Sequence, residues 1–129
     1  MDVLSSRVLL RPTDLERSQR FYREILGLAV MREFGPPDRP GMVFYLGNGQ
    51  LEIAGHGTDP AHTTSLWIQV RDVAAEIDRI QGLGWPIVRE PKREFWGLIE
   101  AWIADPDGVP IVLVQIPEDH PLRRDQRDL

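Results

Sequence analysis

The alternation of apolar and polar positions divides the chain into two segments of one order, strand–helix–strand–strand–strand. Residues 3–11 are apolar enough for a strand, which stops at Pro12. Thr13-Asp14-Leu15-Glu16 carries the spacing of a capping box, with Thr13 as N-cap and Glu16 reaching back to it. Leu15, Ser18, Phe21, Tyr22, Ile25 and Leu26 recur at helical spacing, which predicts a helix to Leu26 and a stop at Gly27. A short strand follows over 29–34, then a turn-rich loop over 35–41. Residues 42–46 and 50–54 predict a hairpin about Asn48-Gly49, the dipeptide of a type I′ turn, and 56–63 is polar and irregular.

The second segment opens with a strand over 64–70. Asp72 then starts a helix with Val73, Ile77 and Ile80 on one face, ending around Gly82-Leu83-Gly84. Residues 87–89 read as a short strand and 91–96 as a loop. Two β-rich runs, 99–104 and 110–114, flank Asp105-Pro106-Asp107-Gly108. Proline presets the first turn position and glycine takes the left-handed site, which fits a three-residue hairpin loop ending in a bulge. In that register Asp105 faces Val109 and Trp102 faces Val112, while Ile103, Ile111 and Leu113 point the other way. Turn formation accounts for Asp105 and Asp107. Asp14 and Asp72, which open the two helices, lie 58 residues apart, and 7–11 aligns with 65–69 at that offset. After one shift at the helix ends, 28–32 falls on 85–89. The shared order and offset argue for an internal duplication.

Composition narrows the class. At 129 residues the chain is long enough for one core. Twenty acidic against fifteen basic residues give a net charge of −5, which disfavours nucleic acid as a partner. Without cysteine there is no disulfide framework, zinc ribbon or thiol nucleophile. No apolar run approaches membrane-spanning length and no basic, then apolar, leader opens the sequence, so a cytoplasmic protein with no membrane partner is expected. His56, His62 and His120 lie in loops or the tail, at no ligand-like spacing. No nucleophile–base arrangement and no phosphate-cradling loop is present.

DLERSQRFYREILGL in the first segment and WGLIEAWIADPDGVPIVLV in the second resemble the vicinal-oxygen-chelate superfamily of glyoxalase I, bleomycin-binding proteins and extradiol dioxygenases. The resemblance covers about residues 3–115. It implies an α+β fold of two tandem βαβββ modules with sheets curled around a cavity, in a homodimer. The expected organisation is a single domain over 1–116, with modules over 3–56 and 64–115 and a charged tail over 117–129. The fold hosts enzymes and passive binders alike. The enzymes' four metal-ligand positions fall here on Arg7, Glu52, Ser65 and Val112, and the dioxygenase tyrosine falls on Trp102. Only Glu52 is a ligand type, since guanidinium cannot bind metal and valine has no donor atom.

Alternation then assigns the side chains facing the expected cavity. Leu9 and Arg11 follow Arg7; Trp67 and Gln69 follow Ser65. Tyr45 is placed opposite Glu52, and Glu100, Trp102, Val112 and Val114 share one face of the last hairpin. An apolar, aromatic surface with a few placed polar groups is what small-molecule sites look like. The expectation is a metal-free, cofactor-free protein that binds a hydrophobic or aromatic molecule, with toxin or antibiotic sequestration as the nearest analogy. Arg7, Tyr45, Glu52, Trp67, Gln69, Glu100, Trp102 and Val112 are its candidate ligand-binding residues, and no catalytic residue is assigned. Arg7 and Glu52 are expected to meet, the guanidinium gripping the carboxylate with two hydrogen bonds. Phe95 and Trp96 are candidates for a lid. The alternative is a metal-dependent glyoxalase- or dioxygenase-like enzyme with an atypical metal site.

Overall fold

The computed structural model of the chain describes residues 2, 5–62 and 64–121. These form two α-helices and eight strands in two four-stranded mixed sheets, an α+β architecture. The chain separates into two compact units. The first comprises Met1–Thr64 with the turn Asp105–Val109, and the second comprises Ser65–Ala104 with Pro110–Leu129.

In the first unit, β1 (Arg7–Leu10) pairs in parallel with β4 (Gly49–Ile53). Strand β4 pairs antiparallel with β3 (Gly41–Leu46), and β3 with β2 (Val30–Phe34), giving the order β1-β4-β3-β2. Helix α1 (Leu15–Arg20) follows β1 and widens into a π-helical turn over Phe21–Ile25. Its N-cap is Asp14 rather than Thr13: the Asp14 carboxylate accepts the Arg17 N–H, at the third position of the helix. Thr13 is engaged elsewhere, donating its N–H and hydroxyl to Asp107. Phe21 and Tyr22, both buried, pack edge-to-face, and Tyr22 also meets Phe44 of β3. Two adjacent aromatics facing one core exceed what a strict 3.6-residue period delivers, and the widened turn coincides with them.

The β3–β4 hairpin turns one residue earlier than its Asn-Gly dipeptide suggests. Leu46 pairs with Gly49, so Gly47 and Asn48 are the central residues, and only Gly47 has a positive φ (59°). That is the pattern of a type II′ turn, with glycine at the first central position. Tyr45 consequently faces Gln50, and Val43 faces Glu52, correcting the expected Tyr45–Glu52 pair. The slip moves each partner by two residues, so every side chain keeps its face.

The second unit repeats the topology. Strand β5 (Leu66–Gln69) pairs in parallel with β8 (Pro110–Gln115), and β7 (Ile99–Ala104) joins β8 to β6 (Arg89–Arg93) in the order β5-β8-β7-β6. Helix α2 (Val73–Gly82) is capped by Asp72, which accepts the Ala75 N–H as Asp14 accepts that of Arg17. Val73, Ile77 and Ile80 are fully buried, as are Ala101, Ile103 and Ile111 of the sheet. Each large aliphatic so buried contributes roughly 1.5–3 kcal/mol. The sixth strand departs from expectation by starting at Arg89 and running through Pro91. It tolerates that proline because it is an edge strand whose pairing is interrupted between Arg89 and Lys92.

The register of the last hairpin is the expected one: Trp102 pairs with Val112, Asp105 N–H donates to the Val109 carbonyl, and Gly108 takes φ 84°. Val3 and Leu4 of the expected first strand, and the expected tail from residue 122 onward, lie outside the described residues.

Candidate functional site

The sheet face of the first unit carries a charged group built by strand pairing. Arg7 lies beside Gln50 and Leu9 beside Glu52 in the β1–β4 register, which brings Arg7 and Glu52 onto one face. Arg7 Nη1 reaches Glu52 Oε1 at 3.0 Å, so the expected pair is present. It is not the expected two-bond grip. Glu52 Oε2 is taken by Arg11 Nη1 at 2.8 Å, and the Nε–Nη2 edge of Arg7 is held by Gln50 Oε1 at 3.3 and 3.2 Å. Burial alone pushes the Glu52 carboxyl up; the hydrogen bonds and charges of Arg11 and Arg7 outweigh it and hold the carboxyl below its ordinary value. Its side chain is only 10% exposed, against 29% for Arg7 and 42% for Arg11. Tyr45 stands on the same face beside Gln50 and is 54% exposed.

In the second unit, pairing lays two rows across three strands. Trp67, Val112 and Trp102 form one; Gln69, Val114 and Glu100 form the next. Trp67 is 55% exposed and Trp102 is 40% exposed, with Val112 half-buried between them. The row of Val114 is covered: Leu98, Val114 and Ile116 form a buried cluster against which Val112 packs. Glu100 is buried and accepts the indole N–H of Trp96 at 2.9 Å. Trp96 thus covers Glu100, while Phe95 packs edge-on against Trp96 and stays exposed.

Two residues of this face were not singled out from the sequence. The Arg89 guanidinium lies 4.0 Å from the centroid of the Trp102 ring, a cation–π contact, and donates to the Glu100 carbonyl at 3.1 Å. Its Nη2 also sits 2.5 Å from Glu94 Oε1, a largely buried ion pair without hydrogen-bond alignment, and Arg89 Nε is buried with no partner among the described residues. Alternation could not place Arg89, because the sheet register breaks immediately after it. Glu94 follows the strand and carried no periodic signal at all. In the first unit, Arg11 was assigned to the right face, but its share of Glu52 was not foreseen.

The donor set does not fit the metal of the resemblance. Both oxygens of Glu52 accept from guanidinium groups, and Arg7, Ser65 and Val112 offer a cation, a hydroxyl and an alkyl group. Among the described residues, no group of three or more His, Asp or Glu is placed to hold a metal ion. His62 pairs at 3.7 Å with Asp59, and His120 Nε2 lies 2.9 Å from the Trp96 carbonyl.

Asp105 and Asp107 do more than close a turn. Asp105 accepts the Asp107 and Val109 N–H groups, and also the Tyr22 hydroxyl at 2.8 Å. Asp107 accepts from Thr13 and, at 3.5 Å, from the Ser18 hydroxyl. Burial pushes both the Asp105 carboxyl and the Tyr22 hydroxyl up, the latter reinforced by the Asp105 charge. A buried phenol committed to a buried carboxylate is a structural anchor.

Paired βαβββ units with mixed four-stranded sheets and an open aromatic face define a protein of the glyoxalase-like fold. Residues 5–113 match the Glyoxalase/Bleomycin resistance protein/Dioxygenase superfamily, and the chain belongs to that family. It is 29% identical over 119 residues to the "Probable lactoylglutathione lyase" of Synechocystis sp., covering 83% of this chain and 91% of that protein. It is 28% identical to the "Lactoylglutathione lyase" of Haemophilus influenzae, covering 83% and 88%. Among solved structures it is similar to TnmS3, described as an antibiotic binding protein from Streptomyces sp. CB03234. That similarity has a TM-score of 0.76 at 22% identity, covering 90% of this chain and 98% of the other, and establishes the fold alone. No described helix is long and apolar enough to cross a membrane.

Proposed function

We propose that the protein is a metal-free binder of a small hydrophobic or aromatic molecule. The observation that carries this is the row Trp67–Val112–Trp102, with two half-exposed indoles flanking a small aliphatic side chain. Strands two apart in a sheet are separated by roughly 9–10 Å, room for a planar ring to lie between two indoles. Large exposed aromatics on a rigid sheet cost stability in water unless something covers them, and a ligand recovers that cost. Gln69, Glu100 and Val112 complete the contact set of the second unit; Arg7, Tyr45 and Glu52 form a candidate contact set of the first unit on its own sheet face. Binding without metal chemistry is supported by the donor set, in which the one carboxylate among the four metal-ligand positions accepts from two arginines.

The names of the relatives favour a second reading, a metal-dependent lyase. Elemental analysis of protein purified without chelator separates the two: no stoichiometric transition metal is expected, and close to one nickel, zinc, iron or manganese per chain would establish the lyase reading instead. Titration with 1-naphthol, a neutral planar aromatic, tests the face itself. Saturable quenching of tryptophan fluorescence is expected, lost in Trp102→Ala; quenching unchanged in that variant would remove the face from the site. We further infer a homodimer, since each sheet has edge strands that pairing or cover would protect. Light scattering at the mass of one chain would count against it.

A further inference from the structure

We propose that the tryptophan face of the second unit takes a cation: an organic ammonium joined to an aromatic or hydrophobic body, with Glu100 as its counter-ion. This rests on the reading of that face as a binding surface and adds the charge of what binds there. Alternation puts Leu98, Glu100 and Trp102 on one side of the chain, and Val114 lies opposite Glu100 on β8. A carboxylate in such a file, 8% exposed, costs stability unless a cation meets it. A local rule broken in this way marks a functional position.

Among the described residues no cation meets it. Glu100 Oε2 accepts the Trp96 indole N–H at 2.9 Å, while Oε1 has no partner there and is not sealed from solvent. Lys92 is its cross-strand neighbour on β6, but is exposed and forms no ion pair with it. Arg89 is committed to Glu94 and to the Glu100 carbonyl. Arg89, Glu94 and Glu100 together carry an excess of one negative charge, which a bound cation would balance.

The kind of cation follows from the oxygen left open. A guanidinium binds a carboxylate best through two parallel N–H groups, and one of the two oxygens is taken. An ammonium is a compact donor that needs only one. Indole rings attract cations to their faces, and Trp96 and Trp102 both stand beside Glu100, one hydrogen-bonded to it and the other two residues along β7. Arg89 already lies over Trp102, whereas Trp96 carries no such cation among the described residues. The turn that carries Trp96 holds it in place. Gly97 N–H donates to the Glu94 carbonyl at 2.9 Å, and Glu94 N–H to the Leu98 carbonyl at 2.8 Å. Gly97 takes φ 93°, and a Cβ there would come within 3.0 Å of the His120 ring, whose Nε2 lies 2.9 Å from the Trp96 carbonyl. Trp96 therefore forms a pinned wall of the site.

The test titrates 1-naphthylmethylammonium and its neutral counterpart 1-naphthylmethanol into the full chain by calorimetry near neutral pH. The ammonium is expected to bind about tenfold tighter or more, a difference of about 1.4 kcal/mol. Glu100→Gln keeps an acceptor for the Trp96 indole but loses the charge, and is expected to bring the two ligands to equal affinity. Glu100→Leu, which matches its apolar neighbours, reads the same loss should the amide variant fail to fold. The chain's charge of −5 draws any cation, so Glu90→Gln, which removes an exposed acid of β6, is the control, and the preference is expected to survive it. Saturable binding of the alcohol with the ammonium no tighter would overturn this proposal and leave the binding surface standing. No saturable binding of either would overturn both. A preference undiminished in the Glu100 variants, or lost equally in Glu90→Gln, would overturn the assignment to Glu100. The matching guanidinium binding as tightly as the ammonium would overturn the choice of cation.

Discussion

The two sheets share one topology, and corresponding positions have taken opposite chemistry. Val43 and Trp102 occupy the same place, each paired on one side with an edge-strand arginine, Arg32 or Arg89. Glu52 and Val112 likewise correspond, each paired with that residue on the other side. In the first unit the centre of the face is a carboxylate held by two cations; in the second it is a valine between two indoles. The ion pairs differ in kind as well. Glu52 has redundant partners, so either arginine can be lost without stranding it. Among the described residues Arg89 has one carboxylate, Glu94, and otherwise a carbonyl and the face of a ring. The two units share a strand order, and the centres of their faces differ in the side chains that project there.

The contrast can be broken most directly at Glu94. Replacing it with alanine leaves a largely buried guanidinium without a counter-ion, and a loss of about 3 kcal/mol is expected from urea unfolding. A loss below about 1 kcal/mol would show that the Trp102 ring and the Glu100 carbonyl suffice to hold Arg89. Glu52→Ala is expected to cost less, about 2 kcal/mol, because its two arginines are partly exposed and can turn toward water. Arg7→Met should cost under about 1 kcal/mol, since Arg11 still pairs Glu52. Should Arg7→Met cost as much as Glu52→Ala, the redundancy would be disproved.

The smallest effect concerns pH. The Glu52 carboxyl is held below its ordinary value of 4.5, so its contribution is complete above that value and is lost as pH falls through the lowered folded value. Glu52→Gln should therefore show a flatter fall in unfolding midpoint below pH 4.5 than the unaltered chain does. Asp105 works in the opposite sense. Its raised value favours the folded state at low pH, and that contribution fades as pH rises through it. A Glu52→Gln profile as steep as that of the unaltered chain would place the acid sensitivity elsewhere.

Most of the frame was legible in the sequence because it rests on local rules. Aspartates at both helix starts, periodic Val73, Ile77 and Ile80, and the DPDG turn each specify their own geometry, and the strand faces follow by alternation. Legibility failed where two local rules competed or a distant partner decided. Thr13 and Asp14 are both good N-caps; Asp107, 94 residues away, claims Thr13. Gly47-Asn48-Gly49 contains two acceptable two-residue turns, and the choice between them moved Tyr45 from Glu52 to Gln50 without changing its face. Arg89 and Glu94 were out of reach, since a broken register and a residue beyond the strand end leave no period to read. At the candidate site, the faces and the Arg7–Glu52 pair are legible in the sequence, whereas the share Arg11 takes of Glu52 and the contact of Arg89 with Trp102 are not.

The turn Asp105–Val109 has a consequence for how the chain must fold. It belongs to the first unit, where Asp105 receives the hydroxyl of buried Tyr22 and Asp107 receives Thr13. That unit is therefore discontinuous: its last piece is made some forty residues after Thr64. A nascent chain that has emerged only as far as Thr64 carries a tyrosine hydroxyl whose acceptor does not yet exist. Contacts spanning 83 to 94 residues also raise the contact order of what would otherwise be a small local module. Completing the first unit therefore requires synthesis through Val109, past the Ser65–Ala104 part of the second unit.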